Sequence, residues 1–178
     1  MALVIIPGIH KTELTISFVQ SIQDRMQQEY FILPTKQYIP YSARAVEQWL
    51  QQQQFNQTEP LSFIAFSAGV VGGFGAALAW QLQGGKIHSF VAFDGWGMPL
   101  YGQFPIYRIS HDYFTHWSSG ILGGGERGFY ADPEVEHLEL WRSPDKCRGW
   151  QMIGRGLQTR GFLADYLQEV LGLPEYHS

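Results

Sequence analysis

The sequence predicts an α/β fold with a mostly parallel central sheet of about six strands and helices on both faces. Three observations carry this reading. Short continuous apolar runs cut by turn residues recur at Ala2–Ile6, Tyr30–Leu33, Leu61–Phe66 and Ile87–Phe93, the pattern of strands buried on both faces. Segments with apolar residues at helical spacing separate them. The chain has 178 residues, 45% hydrophobic and 16% charged, enough for one core with little room for a second, so residues 1–178 read as a single domain.

In chain order, Ala2–Ile6 ends at Pro7-Gly8 and forms the first strand. From Glu13 to Gln28, Leu14, Phe18, Val19, Ile22 and Met26 recur at helical spacing, with Glu13 near the positive end of the helix. Tyr30–Leu33 is the second strand, stopped by Pro34, and Ser42 caps a helix carrying Ala45, Val46, Trp49 and Leu50. Leu61–Phe66 is the third strand, and Ser67-Ala68-Gly69 opens a buried helix of small residues that reaches Leu82 and ends at Gly84-Gly85. The fourth strand, Ile87–Phe93, leads into Asp94-Gly95-Trp96-Gly97, and the fifth, Pro105–Ile109, into Ser110-His111-Asp112. Tyr113 to Pro133 is rich in glycine and aromatics without a period, which predicts a long loop or a loop with a short helix. His137–Trp141 alternates as a last strand would, and Leu157 to Leu171 has the spacing of a closing amphipathic helix.

The formal net charge is −4 and the isoelectric point about 5.8, with no basic run. This argues against a nucleic-acid partner. Cys147 is the one cysteine, which excludes an intrachain disulfide and a multi-cysteine zinc site and fits a reducing cytosol. The apolar start is too short for a signal-peptide core, and no stretch offers the roughly 20 apolar residues that span a bilayer. The expectation is a soluble, cytoplasmic protein without a membrane span.

Ala65-Phe66-Ser67-Ala68-Gly69 lies between a buried strand and a small-residue helix, the setting that a sharply turned nucleophilic serine requires. Ala65 and Gly69 are small enough for such a turn; the plainer role for Ser67 is a helix N-cap. Here the chain resembles the α/β-hydrolase superfamily, in the manner of small lidless lipases and esterases, with Ala65 in place of the first glycine of the G-x-S-x-G motif. The resemblance implies Ser67 as nucleophile, and Pro7-Gly8-Ile9-His10 as the oxyanion loop. The backbone amides of Ile9 and Ala68 would then donate to the oxyanion. It also implies a small ester or thioester substrate, with no cofactor and no metal.

The family places a histidine after its final strand. Beyond His137–Trp141 the one histidine is His177, near the C-terminus. The bases on offer are therefore His111 and His116, with Asp94 or Asp112 as the orienting acid. Ser67, His111 and Asp94 form the favoured set, with His116 and Asp112 in reserve; His137 and His10 rank below, His10 as a pocket residue beside the oxyanion loop. Trp96, Phe114 and Trp117, with Tyr101, Phe104 and Tyr113, would supply either an apolar substrate wall or core packing.

Two other classes compete. A nucleotide-binding module is suggested by Gly69-Val70-Val71-Gly72-Gly73-Phe74-Gly75, but these glycines miss the dinucleotide spacing and suit close helix packing better. A non-catalytic binding protein of the same fold is the alternative to the hydrolase.

Overall fold

A computed structural model describes residues 1–26, 28–124, 127–154 and 156–172. His177 lies outside the described residues. The elements are β1 (Ala2–Ile6), α1 (Thr12–Ile22), β2 (Tyr30–Ile32), α2 (Ala43–Gln52), β3 (Leu61–Phe66), α3 (Ala68–Leu82) and β4 (Ile87–Phe93). They continue with β5 (Ile106–Ser110), α4 (Tyr113–Gly120), β6 (Gly128–Ala131), α5 (His137–Arg142), β7 (Arg148–Gly154), β8 (Leu157–Phe162) and α6 (Leu163–Val170).

Among the described residues the strands form one 8-stranded sheet in the order β2-β1-β3-β4-β5-β6-β7-β8. The pairs from β2 through β6 are parallel, while β6–β7 and β7–β8 are antiparallel. The α/β class and the mostly parallel sheet therefore stand, with more strands than the sequence predicts.

Strand alternation explains how the helices are shared out. Leu3, Ile5, Ile64, Phe66, Val91 and Phe93 turn to one core, where they meet Phe18 and Val19 of α1, Leu140 and Trp141 of α5, and Leu163 and Leu167 of α6. Val4, Ile6, Phe63, Ala65, Phe90 and Ala92 turn to the other, against Val46 and Trp49 of α2 and Val70, Phe74 and Trp80 of α3. The glycines of α3 serve close packing: a Cβ at Gly72 would collide with the carbonyl of Pro40, and one at Gly73 would lie 2.7 Å from Ile6 Cδ1. No helix among the described residues is long and apolar enough to cross a membrane.

Three segments differ from the sequence reading, each for a physical reason. His137–Arg142 is helix α5, not a last strand; six residues suit either period, and only Leu140 and Trp141 are buried. The stretch from Tyr113 to Pro133, read as a loop or a loop with a short helix, contains that helix, α4, but also β6, a strand of 4 residues among glycines that hide it. The closing helix begins at Leu163, because Leu157–Phe162 is strand β8, whose residues are almost all exposed and so lack an apolar pattern.

Candidate active site

The carboxyl ends of β1, β3, β4, β5 and β6 place the loops and helix starts that carry most of the sequence-predicted residues on one edge of the sheet. At the end of β3 the chain reverses into α3 at Ser67, which adopts φ 52° and ψ −121°. A side chain in this region costs on the order of 1–3 kcal/mol and persists where its surroundings impose it. They do so here. A Cβ at Gly69 would lie 2.7 Å from the carbonyl oxygen of Ile6, and one at Gly8 would lie 3.2 Å from Ser67 Cβ, so α3 and the Pro7–Gly8 loop close on the turn only because both positions are glycine. Ser67 stands at the N-cap position of α3, but its side chain makes no cap hydrogen bond. The Ala68 amide is the first of α3 and so lacks an intrahelical acceptor, and Gly8, the residue before Ile9, packs on this turn.

At the end of β4, Asp94 also adopts a positive φ of 46°, a conformation that aspartate tolerates better than most side chains. Its side chain is only 2% exposed, yet every oxygen is met. The backbone N–H of His111 donates to Oδ1 at 3.0 Å, and Oδ2 lies 3.0 Å from His111 Nδ1 and 2.7 Å from His137 Nδ1. Burial alone would push this carboxyl up, but the hydrogen bonds from His111 and His137 outweigh it and hold Asp94 below the usual carboxylate range.

The two imidazoles are placed differently. His111, just past β5, faces carboxylates with both nitrogens, since its Nε2 lies 3.2 Å from Asp112 Oδ2. The hydrogen bond to Asp94, together with the charges of Asp94, Asp112 and Glu134, raises its pKa against the opposing effect of burial. Asp112 also caps α4, its Oδ1 accepting from the Thr115 amide at 2.6 Å. His137 is the first residue of α5. Its ring stacks on Phe66 (centroids 4.7 Å apart), the residue before Ser67, and meets the His111 ring edge-on at 6.0 Å. Only its Nδ1 is engaged among the described residues. The sequence pattern ranks His137 low because it places the residue on a strand; the usable signal is the short strand Gly128–Ala131, after which His137 occupies the following loop and helix start. The donor atoms of Asp94, His111 and His137 lie within 4.8 Å of one another, a set able to hold a metal ion.

His116 is not brought to this group. It is buried in α4 beside Tyr130, its Nδ1 unpartnered among the described residues. Burial, assisted by the Arg108 charge, pulls its pKa from 6.5 to about 4. The unfolded chain takes up this proton near 6.5 and the folded chain near 4, so stability is lost as the pH falls through that window. At pH 5 the loss from this one group is about 2 kcal/mol. In urea unfolding, His116→Gln should therefore lose clearly less stability than the wild type between pH 7 and 5; equal losses would remove His116 from the acid response.

His10 does line a pocket. Its Nε2 pairs with Thr15 Oγ1 at 2.9 Å and its Nδ1 is unpartnered among the described residues. Pro7, Ile16, Ile32, Leu33 and Lys36 help enclose a cavity of about 350 Å³ there. Trp96, Phe114 and Trp117 are each more than half exposed, so they are not core. Trp96 Nε1–H donates to Ser118 Oγ at 3.2 Å, which sets these three rings on and beside α4 as an open aromatic surface rather than a closed wall. The buried Arg108 donates to the carbonyls of Gly123 (2.7 Å) and Met98 (2.8 Å), tying the β4–β5 loop to the segment after α4. Compared with protein-family models and with curated proteins, the chain matches none.

Proposed function

We propose that the chain is a cytoplasmic serine hydrolase of the α/β-hydrolase type, cleaving a small carboxylic ester or thioester through an acyl-enzyme on Ser67. The observation that carries this reading is the strained Ser67 turn beside the buried Asp94 and its half-exposed hydrogen-bond partner His137, whose ring stacks on the residue that precedes Ser67. Ser67, Asp94 and His137 follow the chain order of that family, serine then acid then histidine, and His137 follows β6, the last strand of the parallel series.

The roles follow from the lone pairs. With Nδ1–H donating to Asp94, His137 presents Nε2 as an acceptor, and this nitrogen takes the Ser67 proton as Oγ attacks the carbonyl carbon. His111 holds its Nδ1 on Asp94 with Nε2 3.2 Å from Asp112 Oδ2, and its raised pKa favours the protonated ring, which offers Ser67 no lone pair; it positions Asp94. His137 thus replaces His111 as the base favoured by this reading. The amides of Ile9 and Ala68 stabilise the oxyanion, and water then releases the acid. One observation favours the alternative, a non-catalytic binding protein: Ser67 Oγ has no hydrogen-bond partner among the described residues. Free enzymes often show such loose geometry and tighten it on binding substrate.

The test is a rapid-mixing assay with p-nitrophenyl acetate and butyrate. An initial burst of p-nitrophenol equal to the protein concentration supports an acyl-enzyme. Release at the buffer rate with both esters would favour the binding protein.

A further inference from the structure

We propose that Asp94, His111 and His137 also bind one divalent transition-metal ion of the zinc class, and that the bound ion switches hydrolysis off. The second half rests on the function proposed above; the first does not.

The three donors converge from separate elements, the end of β4, the end of β5 and the first residue of α5, so the fold itself holds them together. Two imidazoles and one carboxylate suit zinc, cobalt or nickel, whereas magnesium and calcium favour all-oxygen sites. Metal-binding histidines usually donate their other ring N–H to a carboxylate or carbonyl. His111 is placed for this: its Nδ1 is on Asp94 within the trio, and its Nε2 lies 3.2 Å from Asp112 Oδ2, an ion-pair contact that a small ring rotation would turn into such a hydrogen bond. The carboxylate is likewise supported, since the His111 amide holds Oδ1 and leaves Oδ2 to the ion.

The present separations of 2.7 and 3.0 Å between Asp94 Oδ2 and the two rings are hydrogen-bond lengths. Donors on one tetrahedral ion with bonds of about 2.0–2.1 Å stand about 3.3 Å apart. Each ring therefore retreats from Oδ2 by a few tenths of an ångström, while the two ring nitrogens, which lie within 4.8 Å of each other, adjust to the same separation; side-chain exposures of 27% and 41% permit both movements. Water completes the coordination.

Binding changes where protons sit. An ion on His137 Nδ1 takes the lone pair freed when that proton leaves, and the neutral ring keeps its one proton by carrying it on Nε2. The nitrogen that must accept the Ser67 proton is then an N–H donor, and the base is blocked. The ring of His111 keeps its Nε2 proton beside Asp112 and yields its Nδ1 proton to solvent.

The experiment titrates untagged, chelator-treated full-length protein with zinc chloride by calorimetry, alongside fluorophosphonate labelling with and without zinc. The expected result is one zinc per chain, equal binding in Ser67→Ala, and at least tenfold weaker binding in His111→Gln and in Asp112→Asn. Labelling should be suppressed by stoichiometric zinc and restored by EDTA. Unchanged binding in both variants would overturn the site. Binding that leaves labelling intact, or raises it, would overturn the switch. If the metal-free protein does not label, the hydrolase reading and the switch fall together, while calorimetry still decides the site.

Discussion

Replacing His137 with alanine is expected to slow both ester turnover and fluorophosphonate inactivation by about 10²–10⁴-fold, the usual contribution of a positioned general base. His111→Gln should cost about tenfold or less. The difference comes from what each ring does for Asp94. His137 alone presents a free nitrogen, whereas His111 spends its side chain on Asp94 and Asp112 and leaves its backbone amide on Asp94 Oδ1 even after substitution. Measuring the inactivation rate constant for the two variants separates them directly. A reversed ranking would move the base to His111 and reduce His137 to a ring packed on Phe66.

The second large effect is on stability. Trp141 is 0% exposed and lies against Phe18 with ring centroids 3.8 Å apart and planes 4° from parallel, with Phe66 at 4.9 Å and Phe93 at 5.3 Å. Trp141→Ala opens a cavity among these rings and is expected to cost about 3–5 kcal/mol, a large share of the roughly 5–15 kcal/mol available to a domain. No hydrogen bond is lost with it, since the indole nitrogen has no partner among the described residues. Urea unfolding should show the loss, and thermal unfolding a fall of roughly 6–20 °C. Because Phe66 leans on Trp141 and His137 leans on Phe66, the variant should also lose activity at temperatures where it remains folded. A cost below about 1 kcal/mol would mean that α5 does not pack as described, and would weaken the placement of His137 with it.

Strands β1, β3, β4 and β5 were legible in the sequence because they are largely buried on both faces. Leu61–Phe66 and Ile87–Phe93 are largely apolar runs bounded by turn residues, long enough for a strand and too short for a buried helix. The Ser67 turn was legible from its setting: a serine flanked by Ala65 and Gly69 between a buried strand and a small-residue helix. The antiparallel edge was not. Strand β8 exposes nearly every residue, so burial writes no pattern on it, and β6 is too short to show one. That failure reached the site, because misreading β6 and α5 hid the loop in which His137 stands. His116 illustrates the converse. Five residues after His111 it reads as equally available, but Asp112 starts a helix between them, and one turn later the side chain points into the interior.

The most direct test of the central claim is to react the protein with a fluorophosphonate and locate the adduct by peptide mass spectrometry, with Ser67→Ala as control. One adduct per chain is expected, on Ser67, and none in the variant. A folded wild-type protein that takes up no label, or takes it on a different residue, would contradict it.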